Sequence, residues 1–377
     1  MLVADQEILL PTTMVGNYPN PRWYDGRDFS EMPIGEFSYD GTHKEAFDDA
    51  VGAIVKDQEE AGLDIIADGK VYGGDSPYGE IVYYYWKRMS GNRLTGPPIG
   101  LPIYSTLFAP TIVGEVQRIA PFHLAHLRAM RKATRKPIKI SYTGIQVLAL
   151  AANDEYYKDT AALARQIATA YHEDFLRLAE EGVDIIQLDE FVWPYGMSDW
   201  EVEVYNLAVD GVPGVQFWTH TCWGNYSGTP GYFPDDGDKE NGAWLLDRRP
   251  PDAPAPERAH GIFPKASDAH MHVLNYELGR TGTDDLRPLL DNHWDRPFVA
   301  GVIDVKSTIT ETAAEVAGRV REYLKVVPAE RLGLTTDCGM INLPRMICLG
   351  KLRALVDGVA IVREEVSQGQ LPTAALA

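Results

Sequence analysis

The stretch Glu180-Glu-Gly-Val-Asp-Ile-Ile-Gln-Leu-Asp-Glu190 joins the end of a helix-like segment to an apolar run that closes on two carboxylates. Nearly the same junction, Glu59-Glu-Ala-Gly-Leu-Asp-Ile-Ile66, occurs earlier in the chain. A glycine after a helical segment typically ends the helix, and branched apolar residues favour a strand. The chain therefore uses one helix–glycine–strand connection twice, which indicates an alternating β/α architecture.

Eight strand-like runs can be placed along the chain, each rich in Ile, Val, Leu or Thr and poor in charge. They are residues 12–16, 63–67, 138–143, 183–188, 215–219, 271–276, 298–303 and 332–336. Amphipathic helices are predicted between them at 44–61, 161–181, 313–326 and 345–368, with Gly358 as a candidate break in the last. This alternation predicts a closed (β/α)₈ TIM barrel. An open doubly wound sheet is the alternative, but no glycine fingerprint follows the first strand.

Reactive side chains fall at or just past the carboxyl ends of the predicted strands. They are Asn17, Asp68, Asp189, Glu190, His220, Glu277, Asp304, Asp337 and Cys338, with Gly144 at another strand end. TIM barrels place their active sites on this face, which favours the barrel over the open sheet.

Two long insertions interrupt the alternation, after strands 2 and 5. Residues 71–110 are rich in tyrosine and predict a long loop or hairpin, and residues 223–265 are polar and rich in Gly, Pro and Asp. The second insertion covers the site or a subunit contact in one interpretation and is a solvated loop in the other. We expect residues 1–377 to form a single catalytic barrel domain.

Composition excludes several partners. The chain has 35 Lys+Arg against 54 Asp+Glu, a net charge of −19, so phosphates of a nucleic acid or an anionic membrane would repel it. It has 3 cysteines, no secretory signal at its start and no apolar run near the length of a membrane span. These features predict a soluble cytoplasmic protein.

A candidate metal site combines His220, Cys222 and Cys338. Residues two apart on a strand point to the same side, so His220 and Cys222 can face one ion. Cys338 follows the last predicted strand, and one imidazole with two thiols is a ligand set that zinc accepts. The alternative is a set of packed thiols with a packed histidine. Cys348 lies in an apolar run and is interpreted as a small core residue.

An ordered set of motifs resembles the catalytic barrel of the cobalamin-independent methionine synthase family over nearly the whole chain. The matching pieces are Leu10-Pro-Thr-Thr-Met-Val-Gly-Asn-Tyr-Pro19, Lys136-Pro-Ile-Lys139 with Thr143-Gly144, the 182–190 stretch, His220-Thr-Cys222, Leu274-Asn-Tyr-Glu277, Gly301-Val-Ile-Asp-Val-Lys-Ser307, Pro328-Ala-Glu-Arg-Leu332 and Asp337-Cys-Gly339. The resemblance implies one zinc ion per chain held by His220, Cys222, Cys338 and Glu277. Glu277 lies further along the chain from Cys222 than in the synthases, because the insertion stands between them.

Departures from the family pattern select the substrate. Asp68-Gly-Lys70 replaces an Asp-Gly-Glu whose carboxylate meets the amino group of homocysteine, and Lys306 stands where the synthases carry histidine. An aromatic stretch that helps the synthases receive folate is not recognisable at 145–150. A cation in place of an anion attracts an acidic thiol. The chain's length and tyrosine-rich loop resemble the zinc members that join coenzyme M to an epoxide, and coenzyme M is an anionic thiol.

The resemblance also suggests roles for single residues. Lys70 is the first candidate for holding the sulfonate and Arg22 the second, with Asn17 and Glu190 also assigned to substrate binding. Lys306, Tyr18 and Asp189 are the catalytic assignments. The alkoxide left by epoxide opening needs a proton donor, and the candidates for it are Tyr18, Tyr72, Tyr142, His270 and Lys306.

Two rival functions remain open at this point. A methionine synthase would transfer a methyl group to homocysteine from a folate or corrinoid donor. A non-catalytic zinc or thiol carrier would need a closed fourth ligand, which Glu277 could supply. The resemblance implies a homo-oligomer, with a hexamer as one form.

Overall fold

The computed structural model describes residues 1–24, 41–73, 82–96, 98–101, 105–222, 262–279 and 282–371. Within them the strands are β1 (Leu2–Val3), β2 (Gln6–Glu7), β3 (Ile66–Ala67), β4 (Asn92–Arg93), β5 (Pro98–Leu101), β6 (Ser105–Phe108), β7 (Thr111–Ile112), β8 (Ile138–Thr143), β9 (Asn153–Asp154), β10 (Ile185–Asp189), β11 (Gln216–Thr221), β12 (Val273–Tyr276), β13 (Phe298–Ile303) and β14 (Leu332–Thr336). The predicted strands at 138–143, 298–303 and 332–336 have the bounds expected.

Seven of these strands form one parallel sheet in the order β14-β13-β12-β11-β10-β8-β3. The first predicted strand closes the ring, because its residue Thr12 bridges Leu334 of β14 in parallel. On its other side, the Thr12 carbonyl accepts the amide hydrogens of Asp64 and Ile65, both at 3.1 Å, just before β3. Backbone pairing on both sides of Thr12 thus joins the two edges of the sheet, and the predicted TIM barrel is confirmed.

Helices pack around the sheet. They are α1 (Gly41–Ala61), α2 (Tyr84–Trp86), α3 (Leu124–Ala133), α4 (Ile145–Leu150), α5 (Thr160–Glu180), α6 (Asp199–Val209), α7 (Arg287–Asp291), α8 (Ala313–Tyr323) and α9 (Arg345–Ser367), with short 3₁₀ turns at Val71–Gly73, Trp193–Tyr195, Lys265–Asp268 and Thr283–Leu286. The Asp159 side chain caps α5 by accepting the amide hydrogens of Ala161 and Ala162. Thr312 and Glu315 form a capping box that starts α8.

The expected break at Gly358 is wrong, because α9 runs through it without interruption. A Cβ atom at Gly358 would lie 2.5 Å from Cβ of Val316 and 2.8 Å from the Ala313 carbonyl oxygen. The glycine therefore allows α9 to approach α8 closely, which is a packing role and not a helix-ending one.

Alternate residues of each strand face the barrel interior. At the amino-terminal end, Ile185, Trp218, Val273 and Val299 form a small apolar cluster with Met1 and Val3, which precede or belong to the N-terminal hairpin. Because side chains alternate, His220 follows Trp218 on the interior side of β11. Thr219 between them points outward, and its hydroxyl donates to the Tyr205 hydroxyl of α6 at 2.8 Å.

The insertion after the second barrel strand contains a hairpin, as expected, formed by β5 and β6. It also contributes β4, which pairs with β7 just after the insertion, and β7 pairs with β9 in a small separate sheet. The insertion after β11 lies outside the described residues from 223 to 261.

No helix in the described ranges has the length and apolar character needed to cross a lipid bilayer.

Candidate metal centre at the carboxyl ends of the strands

One imidazole and two thiols meet at the carboxyl ends of β11 and β14. His220 lies near the end of β11, Cys222 follows that strand, and Cys338 follows β14 by two residues. The two Sγ atoms are 3.4 Å apart, and the ligand atoms of all three residues lie within 4.8 Å of one another. The predicted set of three is therefore brought together, from two strands that are not neighbours in the sheet.

The cluster is polar and shielded from water. His220 is 1% exposed and Cys222 2%, and neither ring nitrogen of His220 has a hydrogen bond of ordinary geometry with any described residue. A hydrogen bond from Cys222 and the nearby His220 lower the pKa of Cys338 to about 5, against the effect of burial. Burial, with hydrogen bonding to Cys338, raises the pKa of Cys222. One thiolate is thus already stabilised before any ion binds.

These three residues fit a zinc ion. Two sulfurs bound to tetrahedral zinc at about 2.3 Å each would lie roughly 3.8 Å apart, close to the separation seen. A ring nitrogen of His220 provides the third donor. Cys348 is remote from the cluster, because its thiol lies on α9 against the carbonyls of Met340 and Leu343.

Glu277 lies beside the thiols but is paired with a cation. Its Oε1 atom accepts a hydrogen bond from the Lys306 ammonium, and both side chains are about 2% exposed. Burial would lower the pKa of Lys306, but Glu277 and the two thiols more than offset it, so the pKa is raised. The carboxylate predicted as a zinc ligand and the lysine predicted as catalytic thus form one ion pair next to the cluster.

A second buried ion pair joins Lys70 to Asp189. The Lys70 ammonium donates to Oδ2 of Asp189 at 2.6 Å, and the Gln187 amide donates to Oδ1 at 2.8 Å. Asp189 is in register with His220 on the neighbouring strand, which places this pair on the same face as the thiols. Asp189 therefore neutralises the cation that the sequence assigned to the sulfonate.

Glu190 supports the loop after β8. Its Oε1 atom accepts the amide hydrogens of Ile145 at 2.6 Å and Gln146 at 3.4 Å, at the start of α4. Burial raises the pKa of Glu190 to about 8, although these two amides oppose the shift. Gly144 makes the contact possible, since a Cβ atom there would lie 2.3 Å from Glu190 Oε2.

The first barrel loop contributes Asn17 to the centre but turns Tyr18 away. Asn17 lies against Gly339, next to Cys338, and its carbonyl accepts the Met340 amide hydrogen at 2.7 Å. The Tyr18 hydroxyl instead donates to Asp57 of α1 at 3.0 Å. Arg22 is exposed, and no contact between it and the thiols is recorded among the described residues.

Two of the proposed proton donors are misplaced. Tyr142 alternates outward from β8, and its hydroxyl donates to Asp174 of α5 at 2.5 Å. His270 precedes β12 and lies at the opposite end of the barrel, where its Nδ1 atom is 2.7 Å from Asp210 Oδ1. The third, Tyr72, is buried with its hydroxyl 3.4 Å from that of Tyr85. The expectation that Tyr142 and His270 face the site is wrong.

The sequence placed Asp337 at the end of a predicted strand but predicted no contact for its carboxylate. Its Oδ1 atom accepts the amide hydrogen of Gly279 at 2.7 Å, and Gly301 allows the same carboxylate to pass close to β13. The motifs around β12 and β13, which contain asparagine and glycine, were the part of the sequence from which this contact could have been predicted. Asp337 thereby orients the strand end that carries Cys338.

The chain is a barrel of the cobalamin-independent methionine synthase family, to which it belongs by its match to the family's catalytic domain. The family described as "Cobalamin-independent synthase, Catalytic domain" matches residues 10–222 and 258–360. The gap in the match falls inside the insertion expected at 223–265. The resemblance drawn from the sequence motifs is confirmed.

Individual relatives match nearly the whole chain. A 2-hydroxypropyl-CoM lyase of Xanthobacter autotrophicus is 46% identical over 98% of this chain and 99% of its own length. A methionine synthase of Saccharolobus solfataricus is 29% identical over 96% and 97%. A solved B12-independent methionine synthase of Shewanella sp. W3-18-1, in complex with selenomethionine, superposes with a TM-score of 0.77 at 26% identity, covering 96% of this chain and 100% of that one.

Proposed function

We propose that the protein is a zinc-dependent thiol alkyltransferase in which the thiolate of coenzyme M opens an aliphatic epoxide, such as epoxypropane, to a 2-hydroxyalkyl thioether. The observation that carries the proposal is the His220–Cys222–Cys338 cluster in a chain 46% identical to a 2-hydroxypropyl-CoM lyase. The name of that relative refers to the same thioether and to the reverse reaction, in which the thioether is cleaved.

The three clustered residues would hold one zinc ion per chain and leave one coordination position for a thiol. Zinc bound there would keep a coordinated substrate thiol in its thiolate form at neutral pH. Glu277 is the fourth ligand we propose for the resting site, because its charge is felt by both thiols. Exchange of Glu277 for the substrate thiol would leave its carboxylate to the Lys306 ammonium beside it.

The reaction forms a carbon–sulfur bond as a strained carbon–oxygen bond breaks, and the electron pair goes to the oxygen. That oxygen takes a proton to become the product hydroxyl, while the thiol has already lost one, so no net proton is consumed. Lys306 is the donor we propose, since its ammonium is buried and lies near both thiols. Donation to a developing alkoxide in a dry site contributes strongly to rate.

The negative end of coenzyme M would be held at the Lys70 side of the site. Lys70 is 3% exposed and its charge is balanced by Asp189, so a sulfonate must share the ammonium with that carboxylate. Asn17, Glu190 and exposed Arg22 remain further proposed contacts to substrate. Tyr18 remains a proposed catalytic residue, although its hydroxyl is engaged by Asp57.

Methionine synthesis is the second candidate, supported by the 29% identity to the Saccharolobus methionine synthase. The departures at Lys70 and Lys306 from the synthase pattern argue against it, because a lysine attracts an anionic thiol and not the ammonium of homocysteine. A non-catalytic zinc or thiol carrier with a closed fourth ligand would keep Glu277 on the metal when coenzyme M or homocysteine is added. Assembly into a homo-oligomer and a cytoplasmic location also remain proposals.

A single comparison tests these alternatives. Zinc-loaded protein is mixed with coenzyme M or with homocysteine, and displacement of a zinc ligand is followed by X-ray absorption. Epoxypropane is then added and the thioether is measured by mass spectrometry. We expect coenzyme M to enter the zinc site and to yield the hydroxyalkyl thioether. Entry of homocysteine alone would favour the synthase, and entry of neither thiol would favour the carrier.

A further inference from the structure

A second group of metal-type ligands lies between the barrel and its helices. Asp68 follows β3, His123 immediately precedes α3, and His126 lies one turn into that helix. One carboxylate oxygen and one nitrogen from each ring all lie within 4.8 Å of one another, and all three residues are buried. Residues three apart at a helix start share one face, so both imidazoles can reach the same point.

This group is separate from the thiol cluster. Side chains alternate along β3: Ile65 belongs to the interior apolar cluster, and Ile66 belongs to the main core outside the ring. Asp68 has the parity of Ile66 and meets α3, whereas His220 and Cys222 point into the barrel. The two groups therefore lie on opposite sides of the strand layer.

The ligand atoms of this second group are buried and lack hydrogen bonds of ordinary geometry with the described residues. Both carboxylate oxygens of Asp68, both ring nitrogens of His126 and Nδ1 of His123 are buried without a hydrogen bond of ordinary geometry to any described residue. Five such atoms at one place are unusual, since buried polar atoms in folded proteins are nearly always satisfied. A bound cation would satisfy one atom of each side chain at once.

The surroundings orient the imidazoles for binding. Nε2 of His123 lies 2.9 Å from the Tyr85 hydroxyl, which accepts the Thr143 amide hydrogen at 3.1 Å. Donation from Nε2 to that hydroxyl leaves Nδ1 as the lone-pair nitrogen, the arrangement usual for a metal-bound histidine. The Tyr72 ring packs against both imidazoles, with centroids 4.8 Å from His123 and 5.8 Å from His126.

We propose that Asp68, His123 and His126 hold a second divalent transition-metal ion, with zinc the ion that the donors fit best. Two imidazoles and a carboxylate form a set found for zinc and for iron(II), and a soft sulfur ligand is not needed. The ion would join the loop after β3 to α3, beside the Lys70–Asp189 pair, whose charges act on Asp68.

Metal counting on the full chain tests the proposal. Protein stripped by a chelator is titrated with Zn²⁺ alone, and bound zinc is measured by mass spectrometry after desalting. We expect about two zinc ions per chain in the unmodified protein and about one in His126→Ala or Asp68→Asn. Asp68→Asn keeps the side-chain volume, so it remains informative if His126→Ala does not fold. His270→Ala, at an exposed histidine, is the matched control and should keep both ions.

Cobalt substitution separates this site from the first. The Cys222→Ser, Cys338→Ser double variant should retain one Co²⁺ without thiolate charge-transfer absorption, and His126→Ala should retain one with it. One Co²⁺ per unmodified chain without the charge-transfer absorption would contradict the zinc enzyme proposal and leave the second site standing. One Co²⁺ per unmodified chain with that absorption, or unchanged stoichiometry in both His126→Ala and Asp68→Asn, would overturn the second site.

Discussion

The Sγ atoms of Cys222 and Cys338 lie 3.4 Å apart although 116 residues separate them in the chain. The distance is much longer than a disulfide bond of about 2.05 Å, and it suits two sulfurs that share one ion. Closure of the barrel produces this approach, since β11 and β14 are separated by two strands in the sheet. The candidate metal centre therefore depends on closure of the ring and not on either loop alone.

The first prediction compares two cysteines of one chain. Cys338→Ser should lose the thiol-site metal and the activity, because it removes a thiolate ligand. Cys348→Ser, altered on buried α9 away from the cluster, should keep both. Bound metal and thioether formation are measured on the same samples. Full metal content in Cys338→Ser, or its loss in Cys348→Ser, would show that the ligands are assigned wrongly.

The second prediction concerns the fold without metal. A barrel of this size buries enough apolar surface to remain folded when metal is removed, unlike a zinc finger. Chelation should abolish activity, leave the far-ultraviolet circular dichroism spectrum nearly unchanged, and be reversed by zinc. Collapse of that spectrum on chelation would instead identify a metal that maintains the fold.

The third prediction uses the Lys70–Asp189 pair. If Lys70 binds the sulfonate, Lys70→Met should lower the affinity for coenzyme M by at least about tenfold, since a charge-assisted contact contributes about 1.5–3 kcal/mol. An uncharged thiol such as 2-mercaptoethanol should be affected far less. Asp189→Asn should act in the opposite direction, because it removes the carboxylate that competes for the ammonium.

Calorimetric titration of each variant with both thiols measures these changes, and metal content is checked in parallel. Lys70→Met was chosen over Lys70→Glu because a glutamate would place a second carboxylate against Asp189. An equal loss of affinity for both thiols would mean that Lys70 supports the fold of the site and does not bind the sulfonate.

The fourth prediction is a pH dependence of stability in metal-depleted protein. Burial raises the pKa of Glu190 to about 8 from a usual value of 4.5. Between these values the folded protein keeps the proton and the unfolded chain has lost it, so unfolding releases a proton. The free energy of unfolding should therefore fall as pH rises through this window. Glu190→Gln should flatten the fall, as measured by urea denaturation at several pH values.

The fifth prediction concerns two glycines of the helix pair α8 and α9. Gly358→Ala should destabilise the protein by about 1–3 kcal/mol, since the new methyl group would meet Val316 at 2.5 Å. Gly318→Ala on α8 meets nothing among the described residues within 4 Å and should stabilise by about 0.5–1 kcal/mol. Equal effects of both changes on the urea midpoint would exclude the close-approach explanation.

The sequence by itself determined the order of strands and helices, the carboxyl-end positions of the reactive residues and the family. These features are local, because strand and helix patterns are carried by the next few residues. The His-x-Cys spacing on one strand is local as well, since alternate residues share a side. For the same reason three predicted strands agree with β8, β13 and β14 in their bounds.

Only the tertiary structure decided how the charges are paired and which way the tyrosines point. Lys70 and Asp189 are 119 residues apart, and β8 lies between β3 and β10, the strands that they follow and end. Their pairing therefore depends on two successive strand registers of the barrel, β3 with β8 and β8 with β10. The Tyr142 side chain points away from the site and contacts α5, because alternate residues of β8 face opposite sides of the sheet. Which set of residues faces inward depends on the face that the closed ring buries. Asp68 meets His123 and His126 across a strand and a helix, a contact that no short sequence pattern encodes because it is fixed by the packing of one layer on another.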